Sequence, residues 1–403
     1  MDRNYAKALL AGALFALPVA VMFAAVSFWP NAQLHQPNDF YLGSDFVNYW
    51  TGGRLALEGR LDILYDLTRY NELLNSWFFP EMGLMSFSYP PHALFFFVLP
   101  GALPYLAALT LWSVFGAIAF IAVALGRWPE RGEARLVWAL VLAPVLWGNV
   151  VFGQLGLFLA LAFVGALRAL PARPALAGVL IGFLTVKPQL GLLLPFVLIA
   201  LGQRRAFAAA VVTTVALIGA SIAVFGVEPW QVYLAETMPF QWQFIERMNG
   251  FYRFQMVTPF TAAWFIGLPI DTALAVQFAA SIGVLAAVLV VVRSEADWPL
   301  KSLIVALGAT LMVPYVLSYD LAIPLAALIW WLRDGGLRAS PLSVAFVTAL
   351  WALPFAVGIL IQIDGAPVLP LVLMASFAWL VAEALGYRWS WRRQRQAPAP
   401  VVA

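Results

Sequence analysis

Apolar residues run along this chain in long blocks separated by short polar intervals. ALLAGALFALPVAVMFAAVSF (8–28), YLAALTLWSVFGAIAFIAVAL (105–125), AFAAAVVTTVALIGASIAVFG (206–226) and TALAVQFAASIGVLAAVLVVV (272–292) each supply the ~20 apolar residues that a helix needs to cross a bilayer. None of them alternates polarity at every second residue, which excludes outer-membrane β-barrel strands. The pattern predicts an all-α, polytopic transmembrane protein with about twelve spans, roughly 10 to 13. The first block is too long for a signal peptide and lacks a small-residue cleavage site, so it reads as a retained span.

Residues 154–202 break the pattern. The apolar runs there, at 155–170, 174–186 and 188–202, are shorter than a bilayer requires. A single kinked span over 175–202 would place Arg168 and Arg173 opposite Arg204 and Arg205. Two short helices meeting at Lys187-Pro188 avoid that, and short helices fit around a water-filled cavity. Two long hydrophilic segments, 30–91 and 227–257, are expected outside the cytoplasm, the first carrying interfacial helices. Residues 1–388 then form one transmembrane domain, and 389–403 a basic, Pro/Ala-rich disordered tail near anionic headgroups. No internal repeat stands out, which weighs against inverted-repeat transporters.

The composition agrees: 63% of the 403 residues are hydrophobic and 11% charged, against about a quarter charged in soluble proteins. With no cysteine, disulfides and thiolate metal sites are excluded, and two histidines, His35 and His92, are too few for a His-rich metal site. Alternating the spans from a cytoplasmic N-terminus places 17 of the 23 basic residues inside and 13 of the 20 acidic residues outside. That is the bias of the positive-inside rule, and it returns the C-terminus to the cytoplasm.

Five carboxylates crowd the stretch GSDFVNYWTGGRLALEGRLDILYD (43–66) and its immediate continuation. Ser44 is expected to cap a helix with Asp45 in its first turn. Phe46, Tyr49, Trp50 and Leu57 give that helix an interfacial face, and Gly52-Gly53 permits close backbone approach. Thr68 is expected to cap a second helix, TRYNELLNSWFF. Glu58, Asp62, Asp66 and Glu72 read as loop-solvating or capping groups, whereas Asp45 lies beside the emerging first span and is a functional candidate. Other polar residues sit at the edges of apolar spans: Tyr89 and His92, Asn149, Gln154, Lys187 and Gln189, Tyr319 and Asp320. Each is costly there, an unpaired mid-membrane Lys by roughly 2.5–3.5 kcal/mol. Singly they have ordinary readings, with Gln154 bonding a helix end, Asp320 capping a span and Lys187 snorkelling to headgroups. The predicted topology nevertheless places all of them on the outer face.

A cation in the outer leaflet can hold a lipid phosphate, and a carboxylate can take a proton from a hydroxyl. Tyr, Asn, Gln and Asp suit the hydroxyls of a sugar. This chemistry points to sugar transfer from a polyprenyl phosphate, with Lys187 on the phosphate and Tyr89, His92, Asn149, Gln154, Gln189, Tyr319 and Asp320 about the sugar and acceptor. No acidic cluster has Mg²⁺-ligand spacing, so neither metal nor other cofactor is expected.

Five stretches carry a family resemblance: DFVNYWTGGRLALEGRLDILYD (45–66), SYPPHALFFFVLPGALPYLAALTLW (88–112), FGQLGLFLALAF (152–163), LAGVLIGFLTVKPQLGLLLPFVLIALGQRRAF (176–207) and VPYVLSYDL (313–321). In this order and spacing the chain resembles glycosyltransferase family 87, integral-membrane enzymes of the GT-C fold related to polyprenol-phosphate-mannose-dependent α-1,2-mannosyltransferases. The resemblance implies an inverting transfer on the extracytoplasmic face of the plasma (inner) membrane, with Asp45 in the position of the general base. It implies a polyprenyl-phosphate sugar, mannose by precedent, as donor, a glycolipid or polysaccharide acceptor in the bilayer setting, and no nucleic acid. Gln154-Leu155-Gly156 stands where relatives often have Gln-Asn-Gly, and Ser318-Tyr319-Asp320 where Asp-Tyr-Asp is common, so the sugar and acceptor do not follow. A transporter or flippase for an anionic solute or lipid-linked sugar is the competing class, and a non-catalytic envelope-assembly partner a third.

Overall fold

The computed structural model describes residues 3–386 apart from 38, 131, 248–249, 335–340, 342 and 353–366. Their regular structure is helical, with isolated bridges at His35–Tyr41 and Met256–Leu317. The expected tail, 389–403, lies outside the described residues.

Helix α1 (Arg3–Phe28) precedes a run of short helices: α2 (Phe46–Glu58), α3 (Leu61–Leu64), α4 (Leu67–Trp77) and α5 (Leu94–Ala102). Two expected caps are displaced. Asp45, not Ser44, occupies the N-cap of α2, and Asp66, not Thr68, caps α4 by accepting from the Thr68 and Arg69 amides at 3.0 Å. In both places an aspartate sits nearer the helix start than the expected Ser or Thr and takes the N-cap position. Helices α2 and α5 touch backbone to backbone. A Cβ on Gly53 would collide with the Phe97 carbonyl, and one on Gly101 with the backbone of Gly53 and Arg54. The Gly-Gly pair is therefore what lets α5 lie against α2, ending at Leu103, whose carbonyl accepts from the Trp50 indole at 2.9 Å.

Next come α6 (Tyr105–Leu125), α7 (Ala134–Val141) and α8 (Pro144–Phe152), the last two forming one span interrupted at Pro144. They are followed by α9 (Gly156–Ala169), α10 (Pro174–Phe183), α11 (Pro188–Gly191), α12 (Leu194–Ala200) and α13 (Arg204–Phe225). On α10, Gly178 faces Ala209 and Ala210 of α13, and Gly182 faces Thr213. This small-xxx-small face packs α10 and α13 closely and in parallel. The chain must therefore return between them, and it does so through α11 and α12. Two short helices meeting at Lys187-Pro188 are what the structure contains, in place of one kinked span. The rising arm, Pro174–Val186, is only ~20 Å long, whereas the 22-residue α13 is ~33 Å. The Lys187 tip therefore stops about 12 Å short of the far end of α13.

The remainder is α14 (Glu228–Val232), a π-helical turn at Tyr233–Thr237, α15 (Met238–Arg247), α16 (Gly250–Gln255), α17 (Pro259–Phe265), α18 (Ile270–Val292), α19 (Trp298–Leu311), α20 (Ala322–Asp334), α21 (Ser343–Ala352) and α22 (Val368–Ala384). Four helical stretches among the described residues are long and apolar enough to cross a bilayer: Tyr105–Leu125, Ala134–Phe152, Arg204–Phe225 and Ile270–Val292. The first expected span falls on the 26-residue α1, and others fall on apolar helices of 10–17 residues. Phe115 and Ile118, Val212 and Val215, Phe278 and Ile282 leave α6, α13 and α18 with exposed apolar faces, the pattern of lipid contact. Helix α20, by contrast, is buried on every side from Ala322 to Arg333.

Helices α6, α9 and α20 pack on one another and run the same way. At one end their chains are tied by arginines. Arg333 donates to both Glu133 oxygens at 3.0 and 2.7 Å and to the Leu125 carbonyl at 2.5 Å. Arg168 donates to the Ala124 carbonyl at 3.0 Å and stacks 4.3 Å over Trp330. Replacing Arg333 with Leu leaves the Leu125 carbonyl without its donor and Glu133 with only Arg127 and the Glu130 amide, and is expected to cost about 3 kcal/mol. The check is the apparent melting temperature of the purified protein in detergent, which must fall; an unchanged value would show that the arginine knot carries no stability.

Candidate active site

The opposite ends of α6, α9 and α20 converge with α2 and the Lys187 tip. The chain reaches α2 through Gly43 and Ser44, both at positive φ (85° and 38°), with the Ser44 hydroxyl donating to Gln36 Oε1 at 2.9 Å. Asp45 holds the N-cap position, yet its carboxylate makes no capping bond. It is turned toward Gln154, whose Nε2 donates to Asp45 Oδ2 at 2.5 Å. Gln154 follows α8 across the left-handed Gly153 (φ 61°), where a Cβ would strike Phe46 and the Gly43 carbonyl. Glycine there is what lets the turn before α9 seat against the start of α2. Four residues beyond Asp45 on the same helix face, Tyr49 donates its hydroxyl to Gln154 Oε1 at 3.0 Å and shares a 2.8 Å bond with the Tyr89 hydroxyl.

Asp45 is only partly exposed, and what it faces is a cavity. Burial raises its pKa from 3.8 to about 6, against the opposing pull of the Gln154 hydrogen bond and the Lys187 charge. The Tyr49 and Tyr89 hydroxyls are pushed upward, mainly by burial, and stay protonated as hydrogen-bonding groups.

Lys187 leaves the helical region (φ −132°, ψ 74°) because Pro188 follows it, and Pro188 then starts α11. Its Nζ bonds both oxygens of Asp320 at 2.6 and 2.7 Å and lies 5.1 Å over the Tyr319 ring. Asp320 Oδ2 also accepts from the Leu317 amide at 3.2 Å. An ammonium has three N–H donors, so one of them has no partner among the described residues. Lys187 is thus an ion-paired cation with one donor to spare.

A cavity of about 440 Å³ joins these groups. Of the residues expected to form a site, Asp45, Tyr89, Gln154, Lys187, Gln189 and Tyr319 line it. Three others do not. Asp320 is wholly buried behind Lys187. Asn149 is buried in α8, donating to the Tyr319 and Val145 carbonyls at 3.0 and 2.8 Å, while its Oδ1 has no partner among the described residues. His92 is buried beside α13, sharing a 3.1 Å hydrogen bond with Thr185 and stacked on Trp230 at 5.6 Å.

The cavity also takes in residues the sequence did not single out as polar lining: Asn48, Tyr49, Ser86, Ser88, Gln241 and Tyr315. Asn48 and Tyr49 were findable, lying three and four positions after Asp45 on a helix. Gln241 was not, because it arrives from the distant α15, where its side chain donates to the Ser88 carbonyl at 3.0 Å. Val186, Leu192, Met238, Phe240, Trp242 and Val313 supply apolar wall. The arrangement offers a carboxylate that can accept a proton, a cation with a spare donor, and hydroxyl and amide groups between them. Among the described residues no three His, Cys, Asp or Glu side chains come together as a metal-binding group.

The sequence pattern of glycosyltransferase family 87 matches residues 87–318. This segment includes Tyr89, Gln154, Lys187 and Gln189, while Asp45 precedes it and Asp320 follows it by two residues. Neither a curated protein nor a solved structure matches the chain significantly. The match covers more than half of the sequence and ends within the loop that carries the Lys187 counterion, and on that basis the chain is a glycosyltransferase belonging to glycosyltransferase family 87.

Proposed function

We propose that this protein transfers a sugar, mannose by the precedent of the family it belongs to, from a polyprenyl-phosphate donor to an acceptor hydroxyl on a glycolipid or polysaccharide. The observation that carries the reading is one cavity with Asp45 and Lys187 both on its wall. The acceptor hydroxyl gives its proton to the Asp45 carboxylate as its oxygen attacks the anomeric carbon. The bond from that carbon to the phosphate oxygen breaks on the opposite side, so the configuration inverts. The electron pair leaves with the polyprenyl phosphate, which gains one negative charge. The spare N–H of Lys187 meets that growing charge, and Asp320 holds the ammonium in place. Gln154 orients Asp45, and Tyr89, Gln189 and Tyr319 are placed to bond sugar or acceptor hydroxyls.

The reading carries with it the GT-C architecture, a multi-pass location in the plasma membrane and an extracytoplasmic site. The charge bias of the sequence supports that orientation. Arg127, Arg168 and Arg333 gather at the end of α6, α9 and α20 remote from Asp45, and basic residues favour the cytoplasmic side.

The purified protein in nanodiscs, given a panel of polyprenyl-phosphate sugars and a total lipid extract as acceptor source, is expected to produce a hexose-sized mass gain. Asp45→Asn should reduce turnover by about 10²–10⁴-fold, the usual contribution of a positioned base; equal turnover would remove Asp45 from the reaction. In wild type kcat/KM should rise with pH through about 6 and level off above it, because only the ionised carboxylate accepts a proton. Gln154→Leu removes a bond that favours the ionised form, so its limb should move to higher pH. A limb at the same pH would mean that it reports another group. Transfer is expected to persist in EDTA; its loss, with recovery on adding back a divalent cation, would show a metal requirement.

A further inference from the structure

Asp45 and Asn48 stand three residues apart at the start of α2, where the Asn48 amide donates to the Asp45 carbonyl at 3.1 Å. At that spacing on a helix two side chains are neighbours, with about 5–6 Å between Cβ atoms. Both residues line the large cavity, and each carries one polar atom that the protein leaves unused. Asp45 Oδ2 is taken by Gln154, and Oδ1 has no partner among the described residues. Asn48 Oδ1 accepts from the Tyr70 hydroxyl at 2.7 Å, and Nδ2 has no partner among the described residues.

Tyr70 decides which end of the Asn48 amide is free. It is wholly buried on α4, and its hydroxyl occupies the amide oxygen. Asn48 is buried as a residue, yet its Nδ2 is not one of the sealed polar atoms that lack a partner. That nitrogen therefore opens on the cavity the residue lines, with two N–H donors to offer.

The wall thus sets an acceptor, Asp45 Oδ1, one helical turn from a donor, Asn48 Nδ2. A lone alcohol can use only the first, by giving its proton to the carboxylate. Hydroxyls on adjacent carbons use both, one donating to Asp45 while the oxygen beside it accepts from Asn48. Lys187 comes from a different wall, at the break between α10 and α11, so the phosphate end of a donor is served elsewhere.

We infer that Asn48 is a specificity-determining residue, reading an oxygen on the carbon next to the hydroxyl that is attacked from, with Tyr70 as its positioning residue. The inference rests on the transfer proposed above and adds what the cavity demands of the acceptor. The acceptor presents a vicinal diol, as a sugar ring does, and a serine or threonine side chain or an isolated lipid alcohol does not satisfy the pair.

The test uses the full-length protein in phosphatidylcholine nanodiscs. Saturation-transfer NMR measures binding of octyl glycosides of mannose, glucose, galactose and arabinose, then of the monodeoxy analogues of whichever binds best. Removing one particular hydroxyl should weaken binding to wild type roughly fivefold, the net worth of one hydrogen bond. Asn48→Leu combined with Tyr70→Phe replaces both partners of the buried bond by apolar groups, a change that can be nearly neutral for stability. This double variant should bind the parent glycoside and that analogue equally weakly. Tyr70→Phe alone lets the amide turn and should narrow the discrimination with Asn48 still present. In the transfer assay the double variant should raise the acceptor KM and leave the donor KM unchanged. No glycoside bound by wild type, discrimination unchanged in the double variant, or a rise in donor KM alone would each overturn the inference. Binding needs no turnover, so the two readings fail separately. Discrimination that depends on Asn48, without transfer from any donor, would keep the diol site and sink the transferase reading. Transfer with discrimination untouched by the double variant would do the reverse.

Discussion

A buried ammonium among apolar helices has to find a partner, and Lys187 finds Asp320. An uncompensated lysine at the centre of a membrane-spanning helix costs roughly 2.5–3.5 kcal/mol on insertion scales. The bidentate contact offsets this and in doing so clamps two helix breaks together, the turn between α10 and α11 and the 3₁₀ turn at Ser318–Leu321 that opens α20. Asn149 adds α8 to the same point through the Tyr319 carbonyl. The turn that opens α20 thereby has its Tyr319 carbonyl served by Asn149 and its Leu317 amide by Asp320. Irregular backbone among membrane helices is tolerated when it is enclosed by protein in this way or lines a cavity.

The same convergence sets the electrostatics. Helices α9 and α20 both begin at the cavity, and a helix N-terminus carries roughly half a positive charge. Gln154 stands just before one of them and Asp320 just before the other. Asp45, Asp320 and any bound phosphate therefore meet partial positive charge from the backbone in addition to the single lysine. Burial still outweighs these effects at Asp45, which is why its carboxyl titrates near the range where it can both take and release a proton.

Much of this was legible in the sequence because charge and proline are so conspicuous in an apolar setting. Lys187-Pro188 announces a break that no span could absorb, and the shortness of the flanking runs gives the hairpin its depth. Tyr89, Gln154, Gln189 and Tyr319 stand out as polar groups at span edges, and the cavity takes them in. The same signal does not report which way a side chain turns from a helix break. Asn149 and His92 carry it equally and face inward, bonding a carbonyl and a threonine. Caps slipped by one or two residues wherever an aspartate lay beside a Ser or Thr with similar capping strength. The span count was least legible. Helices such as α9 and α20 are enclosed by neighbours, so the ~20-residue length rule for lipid-exposed segments does not govern them.

The arginine knot has a consequence for how the chain is made. Arg333 bonds the Leu125 carbonyl across 208 residues of sequence and reaches Glu133 across 200. At about 5–20 residues per second, a ribosome needs on the order of 10–40 s to travel from one partner to the other. For that interval α6 and α9 stand without the helix that will bury their shared face. Until α20 arrives the Leu125 carbonyl lacks its arginine donor, and Glu133 has only Arg127 and the Glu130 amide. The core helix of this protein is thus inserted late, into a gap its neighbours have to hold open, and biogenesis is exposed to misassembly at that step even though the finished fold is not.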